Sequence, residues 1–325
     1  MHIFITGGAG FIGSNLAQYH LNKGDSVHVV DDLSTGSLEN IDACRKNRNF
    51  SFTRADILVW SELKAAVKPA DRIYHLAAIV GVKKVLEDPR AVMATNIAAT
   101  ERVFRAVDEV NPTAKILVAS SSEVYGFNEN SGFSETDDVV LRSGGRLRWC
   151  YAITKLADEY LAYSFVKSSK LNVSIVRLFN TIGPSQTGKY GMVVPNFVSQ
   201  AVRNIPVTIF GEGTQTRSFC DVRDTTRAFD LLMSCEDANG EIVNVGNDQE
   251  ISITDLAKLV IARAHSTSTL HYQTYEEAYG EAFEDITHRR PILDKLHALT
   301  GFTPKWTLEQ TLDDLIATER KKLQQ

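Results

Sequence analysis

"ITGGAGFIGSNLAQYHL", residues Ile5–Leu21, reads as the end of a strand, a glycine turn and the start of a helix. Within it Gly8-x-Gly10-x-x-Gly13 has the spacing of a dinucleotide fingerprint, and Gly7 adds a G-x-x-G-x-x-G register. Glycine permits the tight turn and lets backbone N–H groups approach a pyrophosphate at the helix N-terminus. A glycine triplet alone would also fit any left-handed turn. Here Asp31 closes the next strand, 18 residues after Gly13, where a carboxylate can accept both hydroxyls of a ribose. Asp31, with Asp32 beside it, would repel a 2′-phosphate, so the stretch predicts NAD rather than NADP.

Outward from this turn, β-branched runs alternate with helix-period segments. "HIFIT", "SVHVVD", "FSFTRAD", "RIYHLAA", "KILVASSS" and "VSIVRLF" are the expected strands. Apolar strands separated by helical crossovers predict an α/β fold, a Rossmann-type doubly wound parallel sheet with right-handed connections. Ligands in such a sheet bind beyond the carboxyl ends of the strands, which puts "GGAGFIG", "DDLSTG", "ADIL", "HLAA", "SSSEVYG" and "RLFNTIGP" on one rim. The alternation weakens near residue 180. We therefore expect residues 1–178 to form the NAD-binding domain, with a returning segment near 214–248, and residues 179–325 a smaller mixed α/β substrate lobe. "TLEQTLDDLIATERKK" near the end predicts an amphipathic helix.

The bulk numbers suit an ordinary soluble globular protein of two packed lobes. Hydrophobic residues make up 43% of 325, charged residues 23%, and the net charge is −5, which argues against nucleic acid as the main partner. The first apolar run is broken by glycines and lacks a basic leader, so neither a signal peptide nor a membrane span is expected, and the cytoplasm is the expected location. Cys44, Cys150, Cys220 and Cys235 form no C-x-x-C pair and are expected to be buried small hydrophobes. The eight histidines show no metal-ligand spacing, so no metal is expected.

Tyr151-Ala-Ile-Thr-Lys155 lies in the helix-period segment "RWCYAITKLADEYLAYSF", which sets Tyr151 and Lys155 one turn apart on one face. An ammonium beside a phenol, together with an oxidised nicotinamide, stabilises phenolate and lowers the tyrosine pKa from about 10. Tyr151 could then take a proton from a substrate hydroxyl as hydride leaves the same carbon. The Y-x-x-x-K spacing is common on helix surfaces and gains its meaning from the upstream fingerprint.

With "TGGAGFIG", "DDLSTG", "HLAA", "SSSEVYG", "YAITK", "RLFNTIGP", "GTQTRSFCDVRD", "NVGND" and "HRRP", the chain resembles, over nearly its full length, the extended short-chain dehydrogenase/reductases that modify nucleotide sugars. The resemblance implies tightly held NAD, with contacts from Gly7, Gly10, Phe11, Ile12, Gly13, Asp31, Asp32, Asp56, Ile57, Leu76, Ala77, Ala78, Tyr151 and Lys155. It implies a nucleoside-diphosphate sugar, taken as a UDP-sugar, in the second lobe, held by Asn180, Arg217 and Arg289. A homodimer built on helices around 98–110 and 151–167 is implied as well. Among the loop hydroxyls Ser121 is selected as the partner of Tyr151 and Lys155, and Ser122 as a substrate contact or plain turn hydroxyl. Arg290 divides between the diphosphate and a surface ion pair, and Lys83 with Lys84 is most simply a solvated basic pair.

The resembled enzymes first oxidise a sugar carbon, usually C4, and differ in what the ketone enables. Glu123, in "SSSEVYG", resembles the residue that works near C5 or C6 in decarboxylases and dehydratases, whereas epimerases commonly carry a small residue there. Ser122 departs from the dehydratase pattern, which has an aspartate at its position. "RWCYAITK" and "EDITHRRP" resemble UDP-glucuronate decarboxylases, while "AAIVGVKKVLEDP" is closer to UDP-sugar 4-epimerases. Decarboxylation is thus placed narrowly ahead of 4-epimerisation and 4,6-dehydration last. A silent NAD-binding regulator is opposed by the intact Ser121, Tyr151 and Lys155.

Overall fold

The computed structural model describes residues 1–81, 85, 87–141, 147–169, 171–188, 191–279 and 288–324. Lys83 and Lys84 lie outside the described residues. The strands in chain order are β1 (His2–Thr6), β2 (Ser26–Asp31), β3 (Phe50–Arg54), β4 (Arg72–His75), β5 (Lys115–Ser121) and β6 (Asn172–Leu178). Shorter ones follow: β7 (Thr181–Ile182), β8 (Val207–Phe210), β9 (Thr216–Ser218), β10 (Cys220–Asp221), β11 (Ile242–Val245), β12 (Glu250–Ser252) and β13 (Leu270–Gln273). The longer helices are α1 (Phe11–Asn22), α2 (Pro89–Val110), α3 (Cys150–Ser169), α4 (Val193–Val202), α5 (Val222–Ser234), α6 (Ile253–Arg263) and α7 (Leu308–Leu323).

Seven strands form a parallel sheet in the order β11-β6-β5-β4-β1-β2-β3. From β1 the chain first builds outward through β2 and β3, then returns to build the other way from β4. The crevice at that switch, beyond the carboxyl ends of β1 and β4, is where such sheets bind ligands. The central strands carry apolar residues on both faces because helices cover both. On one face Leu16 and Ala17 of α1 and Phe229 and Leu232 of α5 pack on Ile5, Val29 and Leu117. On the other, Val103 and Phe104 of α2 and Ala162 of α3 meet Phe4, Ile116 and Val118. Burying each large side chain contributes about 1.5–3 kcal/mol.

The chain re-enters this layer late, through α5 and β11. A polar clamp fixes α5: Asp230 accepts from Arg72 (2.8 Å), Lys23 (2.7 Å) and the Tyr19 hydroxyl (3.0 Å). The second core joins Val194, Phe197 and Val198 of α4, Leu256 and Val260 of α6, and Leu312 and Ile316 of α7. Helix α7 starts at a capping box, Thr307 with Gln310, and buries its apolar stripe there.

Three expectations shift. β4 stops at His75, because Leu76–Ala78 leave the sheet to line the crevice. The loop reading of "SSSEVYG" tightens: β5 ends at Ser121, within the expected strand "KILVASSS", and a 3-10 turn over Ser122–Tyr125 follows, capped as Ser121 Oγ accepts from the Glu123 N–H at 3.2 Å. Of the four free thiols, Cys44 and Cys220 are buried but Cys150 and Cys235 only partly so, since these two sit at helix ends rather than in the core.

Candidate active site

One cleft of about 760 Å³ opens along the switch crevice and runs under the second lobe. Its floor is the glycine turn. Gly7 has φ +68, and a Cβ there would lie 2.8 Å from the Ala77 nitrogen; at Gly13 it would lie 2.4 Å from the Gly7 carbonyl oxygen. Both positions therefore exclude side chains, which brings backbone to the cleft surface at the start of α1. Asp31 ends β2 with its carboxylate fixed by N–H donation from Ala9 (3.0 Å) and Leu33 (2.8 Å). Burial raises its pKa against those two hydrogen bonds. Asp32 caps the Ser34 N–H (2.8 Å) and Asp56 the Leu58 N–H (2.9 Å). Phe11, Ile12, Ile57, Leu76, Ala77 and Ala78 line the same cleft. A bare N-terminal glycine turn, an anchored ribose-type carboxylate and an apolar wall together fit a dinucleotide.

Further along the rim, Ser121, Tyr151 and Lys155 come together, from the end of β5 and the first turns of α3. Ser121 hydrogen-bonds the Tyr151 phenol. Lys155 is buried and pairs with Asp158 at 3.1 Å. The expected lowering of the tyrosine pKa is not what the protein alone produces. Burial raises Tyr151; Lys155 lowers it, but the charges of Glu123 and Asp158 raise it again. Lys155 is one cation against two carboxylates, so the balance needs a further positive charge.

Glu123 emerges from the 3-10 turn beside Ser121, and its carboxylate is engaged by Arg289, 166 residues away. This is the main surprise of the site, since the resemblance had assigned Arg289 to a diphosphate. Both residues line the cleft, as do Ser122, Asn180 and Arg217. Ser122 is buried, the Asn180 amide donates to the Ser218 carbonyl (3.2 Å), and Arg217 donates to the Thr216 carbonyl (2.7 Å) from β9. Arg290 takes the plainer of its two roles, donating to the Ser131 carbonyl (3.3 Å) and lying 3.7 Å from Glu250. Sequence reading missed the second-lobe wall of Asn196, Phe197, Gln200, Thr208, Phe210 and Tyr275. These residues carry no motif; the apolar period of "VVPNFVSQAV" is the one signal that could have marked Phe197 as inward-facing. Among the described residues no cluster could hold a metal ion, and no helix is long and apolar enough to cross a membrane.

The NAD dependent epimerase/dehydratase family model matches residues 3–246. The chain is 35% identical over 313 residues to a UDP-N-acetyl-alpha-D-glucosaminuronate decarboxylase of Bacillus cytotoxicus, covering 96% of this chain and 95% of the relative. It is 33% identical to UDP-glucuronic acid decarboxylase 1 of Xenopus tropicalis, covering 99% of this chain and 73% of that one. Among solved structures, UDP-glucuronic acid 4-epimerase from Bacillus cereus, in complex with UDP-glucuronic acid and NAD, superposes with TM-score 0.87 at 28% identity, covering 99% of this chain and 100% of that chain. UDP-N-acetylglucosamine 4-epimerase from Methanobrevibacter ruminantium gives TM-score 0.89 at 27% identity, covering 100% of this chain and 99% of the other. With the glycine turn, the anchored Asp31 and the Ser121–Tyr151–Lys155 cluster in one cleft, the chain belongs to the NAD dependent epimerase/dehydratase family and uses NAD as its cofactor.

Proposed function

We propose that the chain oxidises C4 of a UDP-uronate and releases the C6 carboxyl group as carbon dioxide, giving a UDP-pentose or its 2-acetamido counterpart. The observation that carries this reading is the Glu123–Arg289 pair on the wall that also holds Ser121 and Tyr151. A guanidinium fork matches a carboxylate, and an internal carboxylate occupies it until a substrate carboxylate replaces it. The decarboxylase relatives at 35% and 33% identity support the same reading.

In this account Tyr151 takes the C4 hydroxyl proton, held by Ser121 and made more acidic by Lys155. Bound NAD+ supplies the hydride acceptor and the positive ring charge that the local balance lacks. In the resulting β-keto acid the C5–C6 bonding electrons pass to the C4 oxygen as carbon dioxide leaves, and the Tyr151 hydroxyl donates to that oxygen while charge develops on it. Arg289 orients the departing carboxylate. Glu123, exchanged out of its ion pair, is assigned the delivery of a proton to C5. Reversal of the first step restores the C4 hydroxyl.

A second reading is 4-epimerisation of the same uronate, favoured by the likeness to the Bacillus cereus enzyme. Products of UDP-glucuronate and of UDP-N-acetylglucosaminuronate separate the two: a pentose nucleotide with released carbon dioxide supports the proposal, and an isomer of unchanged mass refutes it. We further assign residues 1–178, with the return through 214–248, to NAD binding, and the remainder of 179–325 to the nucleotide sugar. The four free thiols suit a reducing cytoplasm. A homodimer would cover the apolar face shared by α2 and α3, where Met93, Ile97 and Leu161 line a groove and Ile153 and Tyr160 are exposed.

A further inference from the structure

We infer that Asp158 is a positioning residue: it holds the Lys155 ammonium beside Tyr151 and, through its charge, sets the pH at which Tyr151 gives up its proton. The inference rests on the reading of Tyr151 as the base of the proposed reaction.

Tyr151, Lys155 and Asp158 follow at i, i+4 and i+7, so α3 presents them in one stripe. Asp158 is 0% exposed and Lys155 3%. A buried carboxylate is costly unless it is paired, so its presence on a helix face otherwise packed in the core calls for a reason. The adjacent Glu159 has one already: it accepts from Arg177 Nε (2.9 Å) and Nη2 (2.8 Å) and from the Ser120 hydroxyl (2.5 Å), closing a separate buried ion pair. Asp158 Oδ2 instead lies 3.1 Å from Lys155 Nζ, with the Thr100 hydroxyl as a further hydrogen-bonding neighbour of the carboxylate; burial raises the Asp158 pKa, and Lys155 first and then Thr100 work against that. The carboxylate is directed at the catalytic lysine.

The surroundings keep that pair in place. Behind it runs a buried relay: the Ala77 N–H donates to Thr6 Oγ1 (3.2 Å), which is 2.7 Å from His75 Nδ1, and His75 Nε2 is 3.0 Å from Thr100 Oγ1. Both ring nitrogens of His75 thus face hydroxyl groups rather than charges. Burial, then the Lys155 charge, holds His75 at about 3, so it is neutral at working pH. The titratable groups facing Lys155 and Tyr151 are thus Asp158 and Glu159 on α3, His75 from β4 and Glu123 from the turn after β5. His75 is neutral and Glu159 is paired with Arg177; Glu123, although paired with Arg289, still raises Tyr151, and Asp158 is the carboxylate in direct contact with the Lys155 ammonium. Although burial works to strip Lys155 of its proton, Asp158 and then Tyr151 hold it above the usual lysine range. The same carboxylate raises Tyr151.

The test titrates Tyr151 directly in the NAD-bound protein, by the near-ultraviolet absorbance of tyrosinate with the Tyr151→Phe protein as background. Asp158→Asn is isosteric and neutral, and Asp158→Ala is a second neutral variant that leaves room for water at the ammonium. In either one the apparent pKa of the Tyr151–Lys155 pair is expected to fall by about one unit or more. The acid limb of kcat should move with it while KM for the nucleotide sugar does not. Asp158→Glu, which keeps the charge, should titrate close to the parent. A tyrosinate titration unmoved or raised in the folded neutral variants would overturn the inference, as would Asp158→Glu shifting as far as Asp158→Asn. A lowered titration in a protein that turns over no nucleotide sugar would leave the inference standing and remove the functional reading instead.

Discussion

Arg289 must leave Glu123 before it can hold a substrate carboxylate, so Glu123→Gln should bind a UDP-uronate more tightly while catalysing its conversion more slowly. The two side chains are 10% and 20% exposed, so water screens their pairing only in part. A hydrogen bond to a charged group is worth about 1.5–3 kcal/mol net, and that amount is now subtracted from uronate binding. Since 1.4 kcal/mol is tenfold in a dissociation constant, the glutamine variant should gain about 10- to 100-fold in affinity. Calorimetric titration of the NAD-bound proteins reads this, with UDP-glucose, which lacks the carboxylate, as the control that should not change. Removing the Glu123 charge also lowers the Tyr151 pKa, so the acid limb of the residual activity should move to lower pH. An unchanged or weakened uronate affinity in Glu123→Gln would refute the exchange of partners at Arg289.

Three further outcomes follow from the geometry. In Gly13→Ala the new Cβ meets the Gly7 carbonyl oxygen at 2.4 Å and Gly8 Cα at 2.6 Å, both backbone, so overpacking should cost about 1–3 kcal/mol. A lower melting temperature and loss of NAD from the purified protein are expected, measured by calorimetry and by the NAD released on denaturation. Tyr151→Phe should retain NAD yet lose about 10²–10⁴-fold in kcat, checked by steady-state turnover. His75 is buried neutral with its pKa lowered from 6.5 to about 3. Its depressed value means that the stability it supplies is complete above about 6.5 and is lost as pH falls towards 3, at about 1.4 kcal/mol per pH unit. Urea unfolding at successive pH values should therefore show a steeper acid loss in the parent than in His75→Asn.

The parts of the site legible in the sequence are those whose geometry is local. Gly7 to Gly13 form one turn, Asp31 ends the neighbouring strand, and Tyr151 and Lys155 are one helical turn apart, so these spacings, weak singly, announce the site when taken together. β4 read too long because "HLAA" is as apolar as a strand, although Leu76 to Ala78 face a cleft instead of a sheet neighbour. What stayed hidden depends on distant packing. Glu123 and Arg289 are 166 residues apart, and Arg72 meets Asp230 across 158. Glu123 could be read as chemically significant, but its partner could not. Asp158 was invisible for a different reason: an aspartate in a helical run reads as solvent-facing until the helix is seen to bury that face. The net effect of Lys155 on Tyr151 likewise required knowing that two carboxylates oppose it.

Whether a C4 ketone serves to break the C5–C6 bond is decided by converting UDP-glucuronate in deuterium oxide and weighing the sugar nucleotide by mass spectrometry. The expected product is a UDP-pentose that has lost carbon dioxide and gained a single deuterium at C5, because the carbanion left by the carboxyl group takes its proton from exchangeable sites. A product of the starting mass with no deuterium on carbon would contradict it.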